Sequence, residues 1–178
     1  MNKIFINIGL VVNLLFLSSI AFSQIDLLKK EPMEASIAID LSIEKIDDSS
    51  YNLITIIELG EESYIYSPFS NDEFYLPLTF NLNDNKNFVL EDKLQEEPLS
   101  KPEIDPYLNT PIQYVRCNTT YNQKIKIVNS NDFSYKGLIE YLLEPSCVPY
   151  DLEYEIKQVD GELFVEEIGV KVSEEYKK

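Results

Sequence analysis

Apolar side chains recur at every second position through most of this chain. Ile37, Ile39, Leu41 and Ile43 alternate with Ala38, Asp40, Ser42 and Glu44. Successive side chains on opposite faces make a β-strand, and this pattern gives the strand one wet face. After a turn cluster at 47–50, residues 51–59 form a second, more apolar strand that Gly60 ends. Residues 63–67 carry Tyr64 and Tyr66 on one face before Pro68 breaks the run. Leu76, Leu78, Phe80 and Leu82 alternate again, with Pro77 marking an edge or a strand start. The pattern returns at 124–127, at 138–143 after Gly137, and at 152–156 after Pro149. An Asp160-Gly161 hairpin turn then leads into 163–165. Seven or eight short strands with no 3.6-residue period predict an all-β fold, an antiparallel β-sandwich over 36–165.

Three segments stand outside that pattern. Residues 1–23 combine Lys3, a mostly aliphatic stretch from Ile4 to Ile20, and small residues at Ala21 and Ser23. This is the arrangement of a secretory signal peptide, with cleavage expected near Ser23/Gln24. It implies a periplasmic or secreted protein with no membrane span in the mature chain. Residues 24–35 form a lead-in. Between about 83 and 111, Pro98, Pro102 and Pro106 punctuate an acidic stretch that reads as a long loop, and 166–178 reads as a charged tail. Short helical pieces have room near 27–30 and 92–95.

Composition removes several kinds of chemistry. The chain has no histidine, which excludes Ser-His-Asp and Cys-His catalysis and any His-ligated metal. A formal charge of −16 repels phosphate backbones, so nucleic acid is not an expected partner. Asp160-Gly161-Glu162 lacks the spacing of a calcium loop, and no metal or cofactor is expected. The 31 carboxylates read as a solvated acidic surface, and no hydrolase is expected.

Cys117 and Cys147 are the only thiols. Three readings are open for them. A bridge closing their 30-residue separation would stabilise by about 3.7 kcal/mol in the chain-entropy treatment. Unpaired thiols could instead be buried as small hydrophobes. A reachable thiol could exchange with a partner's disulfide, which needs thiolate character and access. No CxxC spacing occurs.

The run 136–142 followed by Ser146-Cys147-Val148-Pro149-Tyr150 resembles the end of the N-terminal periplasmic domain of the thiol:disulfide interchange protein DsbD. Tyr64-Ile65-Tyr66-Ser67, Pro77-Leu78-Thr79-Phe80 and Gln123-Lys124-Ile125-Lys126-Ile127 follow in the order of its Bacteroidota-type relatives. The similarity covers about 36–157. It implies an immunoglobulin-like sandwich, with Cys147 as the second active-site cysteine. The family's first cysteine lies five or six residues earlier, where this chain has Leu142 or Tyr141. That leaves Cys117 as the candidate second thiol. By the same resemblance Tyr107, within Ile104-Asp105-Pro106-Tyr107-Leu108, is the candidate cap-loop shield over the sulfur. The implied activity is thiol–disulfide exchange or redox-partner docking, the partner being a thioredoxin-like or membrane electron-transfer protein. The alternative is a non-enzymatic secreted β-sandwich that binds a protein and keeps its cysteines for structure.

Overall fold

The computed structural model describes residues 35–70 and 74–174. The expected signal peptide and nearly all of the lead-in lie outside them, as does the expected helical piece at 27–30. Eleven strands are described: β1 (Ile37–Lys45), β2 (Ser50–Leu59), β3 (Ile65–Tyr66), β4 (Thr79–Asn81), β5 (Phe88–Glu97), β6 (Pro102–Ile104), β7 (Pro111–Val115), β8 (Thr119–Ile127), β9 (Phe133–Leu143), β10 (Val148–Val159) and β11 (Glu162–Val172). Their pairings are antiparallel. One four-stranded sheet has the order β1-β2-β8-β5, a second β11-β10-β9-β4, and a three-stranded sheet β3-β7-β6. The protein is an all-β antiparallel sandwich. Among the described residues no helix is long and apolar enough to cross a membrane.

The alternating residues are what joins the two larger sheets. Ile57, Phe88 and Ile125 from one meet Ile139, Leu152 and Ile156 from the other, all at most 1% exposed. Each such side chain stabilises the fold by about 1.5–3 kcal/mol. Tyr154 on β10 lies directly opposite Gly137 on β9, and its ring occupies the space a side chain there would need. A Cβ on Gly137 would come within 2.1 Å of the Tyr154 ring. The β10–β11 hairpin turns through Asp160 and Gly161, with φ of 52° and 81°. Two consecutive left-handed residues match the right-handed twist of the flanking strands.

Two stretches expected to be irregular are strands. The span 83–111 holds β5, β6 and the start of β7. Phe88 and Leu90 point inward, the ladder with β8 slips between Glu91 and Gln95, and Leu94 and Glu96 then resume the inward face. Asp92 sits in that bulge with φ of 62°, so 92–95 is not helical. The bulge and a buried carboxylate disguised the alternation. Glu96 is 6% exposed and is satisfied by hydroxyls: Ser67 Oγ donates at 3.0 Å, Tyr121 Oη at 2.6 Å and Ser100 Oγ at 2.8 Å. The charged tail is likewise ordered to Val172, because backbone pairing with β10 continues although its side chains stay exposed.

The small sheet has two different faces. Ile65 and Val115 join the main core. On the other face Tyr66, Ile112 and Tyr114 pack with Leu142, flanked by Tyr64 and Tyr75. Tyr64 pairs with Glu144 through two backbone hydrogen bonds of 3.1 and 3.0 Å, which ties this sheet to the end of β9.

Candidate functional site

The turn from β9 to β10 is Glu144-Pro145-Ser146-Cys147. Proline and serine suit a tight reversal, and Cys147 closes it in the left-handed region with φ of 53°. Ser146 Oγ donates to the carbonyl of Leu143 at 2.9 Å. Cys147 is exposed and carries a free thiol.

Glu144 organises this turn. Its carboxylate is buried, and Oε2 accepts the Cys147 amide at 3.2 Å and the Cys147 thiol at 3.0 Å. The other oxygen, Oε1, accepts the Tyr66 hydroxyl at 3.3 Å. The hydrogen bond to Glu144 raises the Cys147 pKa above the ordinary thiol value, with burial and the carboxylate's charge acting the same way. A carboxylate that accepts from S–H holds the proton on sulfur, since removing it would place two negative charges side by side. The resting species is the thiol.

A row of side chains leads away from the sulfur across the small sheet. Arg116 lies with its guanidinium carbon 4.5 Å from the ring centres of both Tyr64 and Tyr114. Its Nε is 3.3 Å from Glu103 on β6. Tyr66 and Tyr75 stack with centroids 4.4 Å apart. Burial, then the charge of Glu144, raises the pKa of the Tyr64 and Tyr66 phenols. Beyond β6, Asp105 is 3% exposed and holds the next turn: it accepts the Tyr107 and Leu108 amides at 2.9 and 2.7 Å. It also accepts the Tyr114 hydroxyl at 2.7 Å and the Tyr75 hydroxyl at 3.2 Å. The Leu108 amide, then the Tyr114 hydroxyl, lower the Asp105 pKa.

The three residues singled out from sequence are not assembled into one site. Tyr107 is 90% exposed and belongs to the turn between β6 and β7. Cys117 is also exposed and free, in the connection from β7 to β8, where its carbonyl accepts the Thr119 hydroxyl at 2.9 Å. Neither a disulfide between the cysteines nor buried thiols are present. Glu144 and Arg116 were not visible from sequence as members of the site. The first carried one usable signal, since a carboxylate three residues before a cysteine faces it across a four-residue turn. Arg116 carried none, because only the β3–β7 pairing brings it to Tyr64.

Among the described residues no group of three His, Cys, Asp or Glu side chains is placed to hold a metal ion. A half-open cleft of about 370 Å³ between the β4 and β5 edges is lined by Leu53, Leu78, Phe80, Leu90, Leu94 and Tyr121 among others, and neither cysteine borders it. Comparison with protein-family models, curated proteins and solved structures finds no match.

Proposed function

We propose that this chain is an exported, immunoglobulin-like sandwich, akin to the DsbD N-terminal domain, that exchanges disulfides with a protein partner through Cys147. The observation that carries the proposal is the Cys147 thiol itself, exposed in a tied-down turn and hydrogen-bonded to a carboxylate. In the reaction Cys147 loses its proton to solvent, and its sulfur lone pair attacks one sulfur of the partner's disulfide. A new S–S bond forms, the partner's S–S bond breaks, and the departing sulfur leaves with that electron pair as a thiolate. Holding the proton on Cys147 until a partner arrives protects an exposed sulfur from adventitious oxidation, because the thiolate is the reactive species. A partner surface that brings positive charge to Glu144 removes that restraint at contact.

The test compares Cys147→Ser with Cys117→Ser, each checked for native circular dichroism. Both are offered a disulfide-bonded protein, and mixed disulfides are trapped by acid quench and counted by intact mass. The adduct is expected to vanish in Cys147→Ser and persist in Cys117→Ser. Full exchange by Cys147→Ser would overturn the proposal.

A second reading has its own observation. Leu99, Ile104 and Tyr107 are 64%, 64% and 90% exposed along the proline-stiffened arm around β6. Large exposed apolar side chains on a rigid backbone suit a protein-binding surface that needs no thiol. That reading gains if a partner binds Cys147→Ser as tightly as the parent and loses affinity on replacing Tyr107.

A further inference from the structure

An open strand edge offers a row of amides and carbonyls that another chain can complete, and proteins usually blunt it with bulges, prolines or shortness. Most edges here are blunted in that way. β5 and β11 carry register shifts, β6 begins at Pro102, and β3 and β4 have two and three residues. β1 is different: it ends its sheet and runs nine residues with no proline and no register shift. The hydrogen bonds at its two ends fix which groups it offers. Gly60 N donates to Ser36 O and Ile46 N to Ser50 O, each at 2.9 Å, so the even-numbered residues between them bond to β2. The odd-numbered residues Ile37, Ile39, Leu41 and Ile43 therefore turn their amides and carbonyls to the open edge. Their side chains belong to the row that packs on the core. Next to that row the sandwich is incompletely filled. A half-open cleft of about 440 Å³ is bordered by Ile37, Ile39, Leu143, Tyr150 and Val170. Val170 and Val172 pair with Leu152 and Tyr150 of the inward row, yet they are 48% and 39% exposed.

We infer that β1 is a docking edge for an extended segment of a partner polypeptide in which basic and apolar residues alternate. The inference is independent of either thiol. The segment adds antiparallel, as every pairing in that sheet does. Residues bonded to Ile37, Ile39, Leu41 and Ile43 share their face, so they project inward beside the cleft and are apolar. Residues between them fall opposite Ala38, Asp40, Ser42 and Glu44, all exposed. The charges on that row select the partner. Asp40 and Glu44 take part in no ion pair among the described residues, and the one cation of β1, Lys45, is paired with Asp48. The one charged residue bordering the cleft, Glu167, is also a carboxylate. Opposite charges directly across a strand pair attract and like charges repel, so lysine or arginine is favoured at the outward positions. A second copy is a poor occupant, since each chain carries −16 and brings the same carboxylates.

The experiment titrates the folded chain with an end-capped peptide of alternating lysine and valine, as long as β1, and follows backbone amide hydrogen exchange by NMR. Binding is expected to slow exchange at Ile37, Ile39, Leu41 and Ile43, and to leave Ala38, Asp40, Ser42 and Glu44, already bonded to β2, as they were. N-methylation of every valine should abolish binding, because those amides face β1, whereas N-methylation of every lysine should not. Asp40→Asn combined with Glu44→Gln should weaken binding at least about twofold, through the loss of two cross-strand ion pairs. Equal binding of an alternating lysine–serine peptide would reduce the effect to net charge and overturn the proposal, as would protection that falls outside β1 or no binding at all. Protection of the same four amides that grows with protein concentration, without peptide, would assign the edge to a second copy and equally overturn it.

Discussion

Replacing Glu144 with glutamine keeps the shape of the β9–β10 turn, and an oxygen for the Cys147 amide, while removing the charge beside the sulfur. The separation from Sγ to Oε2 is 3.0 Å. At that distance, even with the dielectric constant of bulk water, a thiolate and a carboxylate repel by about 1.4 kcal/mol, a factor of about ten in the thiol–thiolate equilibrium. Cys147 is exposed but Glu144 is buried, so the solvent value sets the minimum repulsion. A less basic thiolate is also a weaker nucleophile, with a Brønsted slope of about 0.4–0.5, so the net gain in rate is about three- to fourfold or more. The assay is stopped-flow reaction with a neutral dipyridyl disulfide in the Cys117→Ser background, from neutral pH upward. With Glu144 in place the rate should keep climbing past about pH 8.5, the ordinary thiol range, and in Glu144→Gln the profile should move to lower pH. A folded Glu144→Gln protein that reacts no faster than its parent at neutral pH would refute the claim that this carboxylate restrains the sulfur.

Two further outcomes concern the scaffold. Gly137→Ala places a methyl group 2.1 Å from the buried Tyr154 ring, an overpacking that should cost about 1–3 kcal/mol. Thermal melting should then fall by roughly 3–10 °C for a domain of this size, and a melting point within a degree of the parent's would contradict the packing described. The lowered carboxyl pKa values of Asp105, Glu91 and Glu153 set the direction of the acid response. A depressed folded-state pKa contributes stability that is complete above the unfolded value of about 4 and is lost as pH falls through the folded one. Urea melts should show stability declining below about pH 4, with Asp105→Asn flattening part of that decline, and stability rising on acidification would refute it.

The parts of the fold that sequence revealed are those where burial and alternation coincide. Ile37 and Ile39 on β1 and Tyr51, Leu53 and Ile57 on β2 declare those strands because their inward positions, Thr55 apart, are apolar. β5 escaped because its inward row reads Phe88, Leu90, a bulge, Leu94 and then Glu96, and a carboxylate at an inward position looks like solvent until the hydroxyls of Ser67, Ser100 and Tyr121 are known to converge on it. The last residues of β11 escaped for the opposite reason: Val170 and Val172 are held by backbone pairing with Leu152 and Tyr150 while their side chains stay exposed, and Ile168 falls at the register shift. At the candidate site, Cys147 stood out by scarcity alone. Its setting did not, because Glu144, Tyr64 and Arg116 meet only through pairings between β3, β7 and the end of β9. No local spacing encodes those pairings.

Glu96 has a consequence for how this protein can vary. It collects Ser67 from just beyond β3, Ser100 from the connection into β6 and Tyr121 from β8, and so bolts the small sheet to the sandwich by direction instead of by volume. Aliphatic positions elsewhere tolerate exchange among residues of similar size. Here no hydrocarbon serves, since it would strand four donors at once, the Ser100 amide included. Drift along this seam must keep an acceptor with two oxygens, so the segment least conspicuous in the primary structure is among the least free to change.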